Sequence, residues 1–289
     1  NALPGVPLGT SRTIYESLDE RAANGKFIPY LASKFAMSAD AKEWTISLRP
    51  GIKYSNGEEF NAANVKLNLD FGRSGFGTLN GAAFATGSAA GYPSTGVGVN
   101  ANIMSVDVVD NLNVKITLER GDSEFLGLMY RAGRYVMRAN AQIANSSTCS
   151  SNPIGTGPFM KQSYSADELV VVKNPNYWRK DAAGGKLPYL DKITFINIKE
   201  ASSRAAAVRT GAVDAAFFTT GDATFILDLA KRKSVVKQYQ ASKTAWGQWM
   251  PNVGKAGSPF KFKNCRLAAA HAMDWNAYNK VRLKGLGSY

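Results

Sequence analysis

The chain has 289 residues, of which 45% are hydrophobic and 11% aromatic; this is a globular composition, with apolar material for one large or two ordinary domains, and it excludes wholesale disorder. The formal net charge of +13 invites a nucleic-acid partner, but the densest basic group, Lys231-Arg232-Lys233, has no interleaved aromatics and reads as a solvated helix end. Two cysteines exclude a disulfide scaffold, and no apolar run is long enough to span a bilayer.

In chain order, residues 10–18 read as a short segment ending in a loop, and Pro29 breaks the chain before Leu31-Ala-Ser-Lys-Phe35. Trp44, Ile46 and Leu48 alternate with Thr45, Ser47 and Arg49, the pattern of a half-buried strand, and Asn56-Gly57 supplies a turn. Asn61 is placed to cap a helix carrying Val65, Leu67, Leu69 and Phe71, whose apolar spacing is only partly helical. Residues 72–102 are rich in Gly, Ala, Ser and Thr and read as a long surface excursion. Val106, Val108, Val114, Ile116 and Leu118 flank Asp110-Asn111 as a hairpin.

A helical stretch is expected at Phe125–Met129, a rigid connection at Pro153–Pro158, and strands at 170–173 and 193–198. A helix over Ser202–Thr210 should end at Gly211, followed by a buried strand Val213-Asp-Ala-Ala-Phe-Phe218 and a helix over Thr224–Lys231. Strand, helix and strand in succession predict an α/β lobe with some parallel pairing.

No catalytic constellation emerges. The single histidine, His271, sits among alanines at a helical position without a GxSxG elbow, and HExxH, Walker A and complete GxGxxG motifs are missing. Gly155-Thr-Gly157 is followed by Pro158, which lacks the amide needed to cradle phosphate, so its glycines are read as a conformational requirement. Glu58-Glu59 and Asp214 read as structural or solvent-facing. Cys149 and Cys265 could pair as one disulfide in an oxidising compartment, or remain free.

Five segments, in order, carry a resemblance: Ile14-Tyr-Glu-Ser-Leu18; Glu43-Trp-Thr-Ile-Ser-Leu-Arg-Pro-Gly-Ile-Lys-Tyr-Ser-Asn-Gly57 running into Phe60-Asn-Ala-Ala-Asn-Val65; the block Ile103 to Leu118; Asn152-Pro-Ile-Gly-Thr-Gly-Pro-Phe159 with Val170-Val-Val-Lys-Asn-Pro-Asn-Tyr-Trp178; and Phe262 to Asp274. Together they resemble the peptide/nickel-type solute-binding proteins of ABC importers. The resemblance implies an α/β fold of the periplasmic-binding-protein type II kind, with a mixed-sheet lobe and an additional β-rich subdomain. Residues 1 to about 28 and about 154 to 244 would form the core of the first lobe, about 29 to 153 the subdomain, and 245–289 the beginning of a second lobe. Relative to the family the chain starts late and stops early, so it reads as a fragment whose second lobe is largely missing and whose hold on solute is weak.

The same resemblance implies a monomeric, extracytoplasmic binder, periplasmic or lipid-anchored, that closes over its solute and serves ABC permease subunits, with no catalysis, cofactor or nucleic-acid partner. Trp246 and Trp249 would line the back of the cleft, with Tyr15, Phe218, Thr219 and Asn252 as further cleft candidates. Two tryptophans three apart are equally consistent with core packing. Tyr177 and Trp178 are expected to define the fold, not the cleft. A peptide is the favoured solute and an oligosaccharide the next; nickel is least favoured, with one helical histidine and no Cys/His cluster. The rival class is a basic secreted binder of nucleic acid or another anionic polymer, marked by steeply salt-dependent affinity.

Overall fold

The computed structural model describes residues 8–22, 24–73, 102–130, 135–145, 148, 151–232 and 251–287. Packing divides the chain into two compact units, Asn1–Asn197 and Ile198–Tyr289.

The first unit begins with helix α1 (Leu8–Ile14), then a small hairpin of β1 (Asp19–Arg21) and β2 (Phe27–Pro29). Strands β3 (Ala32–Met37) and β4 (Glu43–Leu48), helix α2 (Ala62–Arg73), and strands β5 (Ile103–Asp110) and β6 (Asn113–Leu118) follow; the four strands form an antiparallel sheet in the order β3-β4-β6-β5. As the alternation predicts, Trp44, Ile46 and Leu48 face inward, and Ile46 sits opposite the buried Val114. The β5–β6 hairpin forms at the expected place, with Asp110 Oδ1 accepting the Leu112 N–H at 2.8 Å. Gly57 holds the expected turn at φ +90.

Asn61 caps α2 as expected, its Oδ1 accepting the Asn64 N–H at 3.0 Å. The helix buries Val65 and Leu69 in the core with the sheet and also buries Phe71, while Leu67 is only half-buried. Its imperfect apolar spacing has a physical cause: the buried face also carries Asn64 and Asn68. Both donate to the Arg138 carbonyl at 2.9 Å, and Asn64 accepts the Tyr54 hydroxyl at 2.6 Å. A polar pair thus completes an otherwise apolar interface. The excursion expected at 72–102 lies, over residues 74–101, outside the described residues.

Helices α3 (Phe125–Tyr130) and α4 (Asn140–Ala144) lead to a three-stranded antiparallel sheet, β7 (Phe159–Tyr164), β8 (Glu168–Lys173) and β9 (Lys192–Ile196). Its buried face, Phe159, Leu169 and Val171 with Ile193 and Phe195 beside them, packs against Ile14, Tyr15 and Val136. The larger core joins the four-stranded sheet to α2, α3 and Leu18.

The second unit contains α5 (Ala201–Thr210), α6 (Ala223–Ala230), α7 (Lys263–Ala272) and α8 (Trp275–Arg282). Gly211 ends α5 in the left-handed region at φ +73, as its position predicts. The expected strand Val213–Phe218 does not form: the segment is irregular and Phe217 is 70% exposed. Phe217 turns outward while Phe218, half-buried, packs beside the Arg204 guanidinium, and the run has no strand partner among the described residues, where every strand pair is antiparallel. Lys231 and Arg232 are exposed at the end of α6, as the solvated reading expects. Cys265 is half-buried in α7, and Cys149, its candidate partner, lies outside the described residues.

Candidate functional site

The loop after α1 carries a dense set of buried polar contacts. Glu16, 2% exposed, accepts hydrogen bonds from Thr156 Oγ1 at 2.9 Å, Trp178 Nε1 at 2.8 Å and the Tyr177 hydroxyl at 3.2 Å. Its carboxyl is nonetheless raised above the usual carboxylate range, because loss of solvation outweighs these donors. Burial, then the Glu16 charge, pushes the Tyr177 hydroxyl upward as well. The signature residues of 152–159 and 174–178 therefore converge on one carboxylate and act as a structural clasp, in keeping with the fold-defining role expected of Tyr177 and Trp178.

The glycines of that clasp need correction. Neither Gly155 nor Gly157 has positive φ. They are required because the irregular connection runs against the end of α1: a Cβ on Gly155 would lie 2.0 Å from the Ile14 carbonyl oxygen, and the Gly157 N–H donates to that same oxygen at 2.9 Å. Close backbone approach, not unusual torsion, dictates glycine here.

Beside the clasp lies a charged cluster. Arg12 donates to Ser17 Oγ at 2.8 Å and to Glu20 Oε2 at 3.0 Å, and its guanidinium sits 5.9 Å from the centre of the Tyr130 ring. Asp19, 1% exposed, has no hydrogen-bond partner for either carboxylate oxygen among the described residues. On the other flank, Arg49 and Arg179 approach the Trp178 ring at 5.5 and 6.0 Å, and Arg179 donates to the Tyr30 hydroxyl. An apolar groove of about 330 Å³ opens nearby, lined chiefly by Pro158, Phe159, Tyr177, Pro188, Tyr189 and Ile193.

The residues expected to face solute fall in different surroundings. Tyr15 is buried in the smaller core, its hydroxyl bonded to Gln142 at 3.0 Å, while Gln142 Oε1 also accepts the Ile154 N–H. In the second unit, Phe218 is half-buried with the Arg204 guanidinium 5.5 Å from its ring centre. Thr219 is exposed and caps a short turn through Asp222, whose carboxylate also accepts from Arg204 at 3.1 Å. Asn252 is exposed, its side chain accepting the Gly254 and Lys255 N–H groups. Phe218 and Thr219 thus share one Arg204–Asp222 cluster; Trp246 and Trp249 lie outside the described residues.

Sequence reasoning missed Glu16, Asp19, Arg12 and Arg204. For Glu16 a signal existed, since it stands within the Ile14–Leu18 segment; Asp19 and Arg204 carry none, because their meaning depends on burial and on distant partners.

The two larger antiparallel sheets with packed helices follow the architecture of α/β solute-binding proteins. Over 96% of this chain and 52% of theirs, NikA of Brucella suis in complex with Fe(III)-EDTA superimposes with a TM-score of 0.71 at 24% identity. DppA of Helicobacter pylori in complex with peptide STSA superimposes with a TM-score of 0.69 at 21% identity, over 96% of this chain and 54% of that one. More narrowly, the model of the bacterial extracellular solute-binding proteins, family 5 middle, matches residues 26–289, and the chain belongs to that family. It is 27% identical to the glutathione-binding protein GsiB of Salmonella typhi over 279 residues, which is 95% of this chain and 49% of GsiB. It is 30% identical to the nickel-binding periplasmic protein of Escherichia coli (strain K12) over 277 residues, 93% of this chain and 47% of that protein. The chain spans about half the length of the curated relatives it matches.

Proposed function

We propose that this chain supplies one lobe of the extracytoplasmic solute receptor of an ABC importer, which captures a peptide-like solute between two lobes and delivers it to a membrane permease. The observation that carries the reading is the family match over residues 26–289. A relative named for binding glutathione, itself a small peptide, supports the choice of solute. Binding, not turnover, is the activity we assign; among the described residues, the buried polar cluster around Glu16 is engaged in holding the fold together.

Residues 1–28 and 154–244 serve as the core of this lobe, 29–153 as its subdomain, and 245–289 as the start of the second lobe. Capture is by hinge closure, in which contacts available only between closed lobes favour the loaded state. Trp246 and Trp249 offer aromatic faces to the solute, with Phe218, Thr219 and Asn252 as further contacts, whereas Tyr15, buried against Gln142, serves the core. In this account the receptor is monomeric and sits in the periplasm or on the outer face of the membrane through a lipid anchor.

The reading is tested by mass spectrometry of small molecules that copurify with the full-length gene product. A short peptide released on denaturation supports it. An oligosaccharide or a metal chelate would keep the receptor role and overturn the solute class, whereas bound nucleic acid would overturn the role itself.

A further inference from the structure

We propose that Thr219 and Asn252 meet the solute with hydrogen-bond polarities fixed in advance, Thr219 as an acceptor and Asn252 as a donor, and so read the N–H and C=O groups of a peptide backbone. Both residues are solute contacts in the reading above, on which this rests; their bonding adds what each can accept or give.

Thr219 is exposed, yet its hydroxyl hydrogen is committed. Asp222 Oδ2 accepts that hydrogen at 3.2 Å and the Thr219 N–H at 3.0 Å, and Arg204 donates to the same oxygen at 3.1 Å. The arginine is fixed in turn, because its other terminal nitrogen donates to the Ile198 and Lys199 carbonyls at 3.0 and 2.6 Å, just ahead of α5. The Asp222 N–H returns to the Thr219 carbonyl at 2.9 Å and closes the turn. A carboxylate accepts and does not donate, so the hydroxyl hydrogen stays on Asp222 and Oγ1 keeps only lone-pair capacity for a visitor. Asp222 is thus a positioning residue that acts on the solute through Thr219.

Asn252 is set the opposite way. Its Oδ1 accepts the Gly254 N–H at 3.1 Å and the Lys255 N–H at 3.0 Å, which uses both lone pairs. The Nδ2 hydrogens remain, and they can only donate. Amide N–H and C=O groups have fixed polarity and gain from partners set this way, whereas a sugar hydroxyl turns to suit either. A solute group of the wrong polarity leaves the protein group and itself unpaired, and contacts of that kind discriminate strongly.

The test is calorimetry on the full-length gene product with trialanine and with its two analogues in which one or the other amide N–H is replaced by an ester oxygen. In the unmodified protein one analogue should bind about tenfold more weakly than trialanine. Thr219→Val removes the acceptor, and Asp222→Asn can donate to Oγ1 and release the hydroxyl hydrogen; each should reduce that ratio to about twofold or less, whereas Thr219→Ser should keep it. Asn252→Asp still accepts from Gly254 and Lys255 but offers no N–H, and should bind trialanine about tenfold more weakly at an unchanged melting temperature. Equal binding of both analogues and trialanine, a ratio that survives Thr219→Val, or Asn252→Asp binding like the unmodified protein overturns the inference and leaves the receptor reading standing. No trialanine binding at all removes the peptide reading and this inference with it. The Thr219 variants decide the acceptor half even where Asp222→Asn fails to fold.

Discussion

Replacing Glu16 by alanine removes the acceptor shared by Thr156, Trp178 and Tyr177. Each buried donor left without a partner costs about 1–3 kcal/mol. Thr156 is 0% exposed and takes the full penalty, while the half-buried Tyr177 and Trp178 recover part of theirs from water. The sum for Glu16→Ala is about 3–5 kcal/mol, enough to loosen the clasp between α1 and the 154–158 connection. Glu16→Gln keeps the volume and one acceptor oxygen but turns an amide donor toward other donors, at about 1–2 kcal/mol. Burial raises the Glu16 carboxyl above 4.5, so the folded state holds that proton more tightly than the unfolded one. The corresponding stability is present below 4.5 and declines as pH rises through the raised value, so the Gln penalty should shrink at higher pH. Urea denaturation followed by circular dichroism at several pH values, with hydrogen exchange at the Gly157 amide, measures both effects. Two variants within about 0.5 kcal/mol of wild type, with unchanged Gly157 protection, would refute the clasp.

Further expectations rest on separate features. Gly155→Ala forces a Cβ to within 2.0 Å of the Ile14 carbonyl oxygen and should cost about 3 kcal/mol or more, whereas Gly57→Ala meets open space at φ +90 and should cost about 1–2 kcal/mol; thermal melts that rank the two in reverse would contradict the close-approach explanation. Asp222→Ala removes the partner of Arg204 and the cap bond to Thr219 together, and should destabilise by about 1–2 kcal/mol, with loss of protection at the start of α6 in hydrogen exchange. Trp246→Ala and Trp249→Ala should each weaken solute affinity about tenfold in calorimetry while leaving the melting temperature nearly unchanged; a large fall in melting temperature with intact affinity would assign them to core packing.

The elements that depend on neighbours in sequence were legible. Alternation at Trp44, Ile46 and Leu48, the Asn61 cap, the Asp110 turn and the Gly211 stop each act within a few residues, so their chemistry is visible in a short window. The signature around Gly155 and Trp178 was recognisable as a pattern, but its cause was not. Thr156 and Trp178 meet Glu16 from 140 and 162 residues away in the chain, and the glycines answer to the backbone of Ile14. Asp19 is opaque for the same reason, since only burial distinguishes it from the half-buried Glu20 beside it. Val213–Phe218 misled because a hydrophobic run states a preference for burial without supplying a strand to pair with. Tyr15 stood out as an aromatic in the opening segment, yet its hydroxyl is spent on Gln142.

The central claim, that this lobe belongs to a receptor which binds solute without converting it, is tested most directly by calorimetric titration of the full-length gene product with short peptides, followed by mass analysis of the recovered peptide. The account predicts stoichiometric, saturable binding with the peptide recovered intact and affinity only weakly dependent on salt. Peptide recovered cleaved, or no peptide binding beside a nucleic-acid affinity that collapses with added salt, would contradict it.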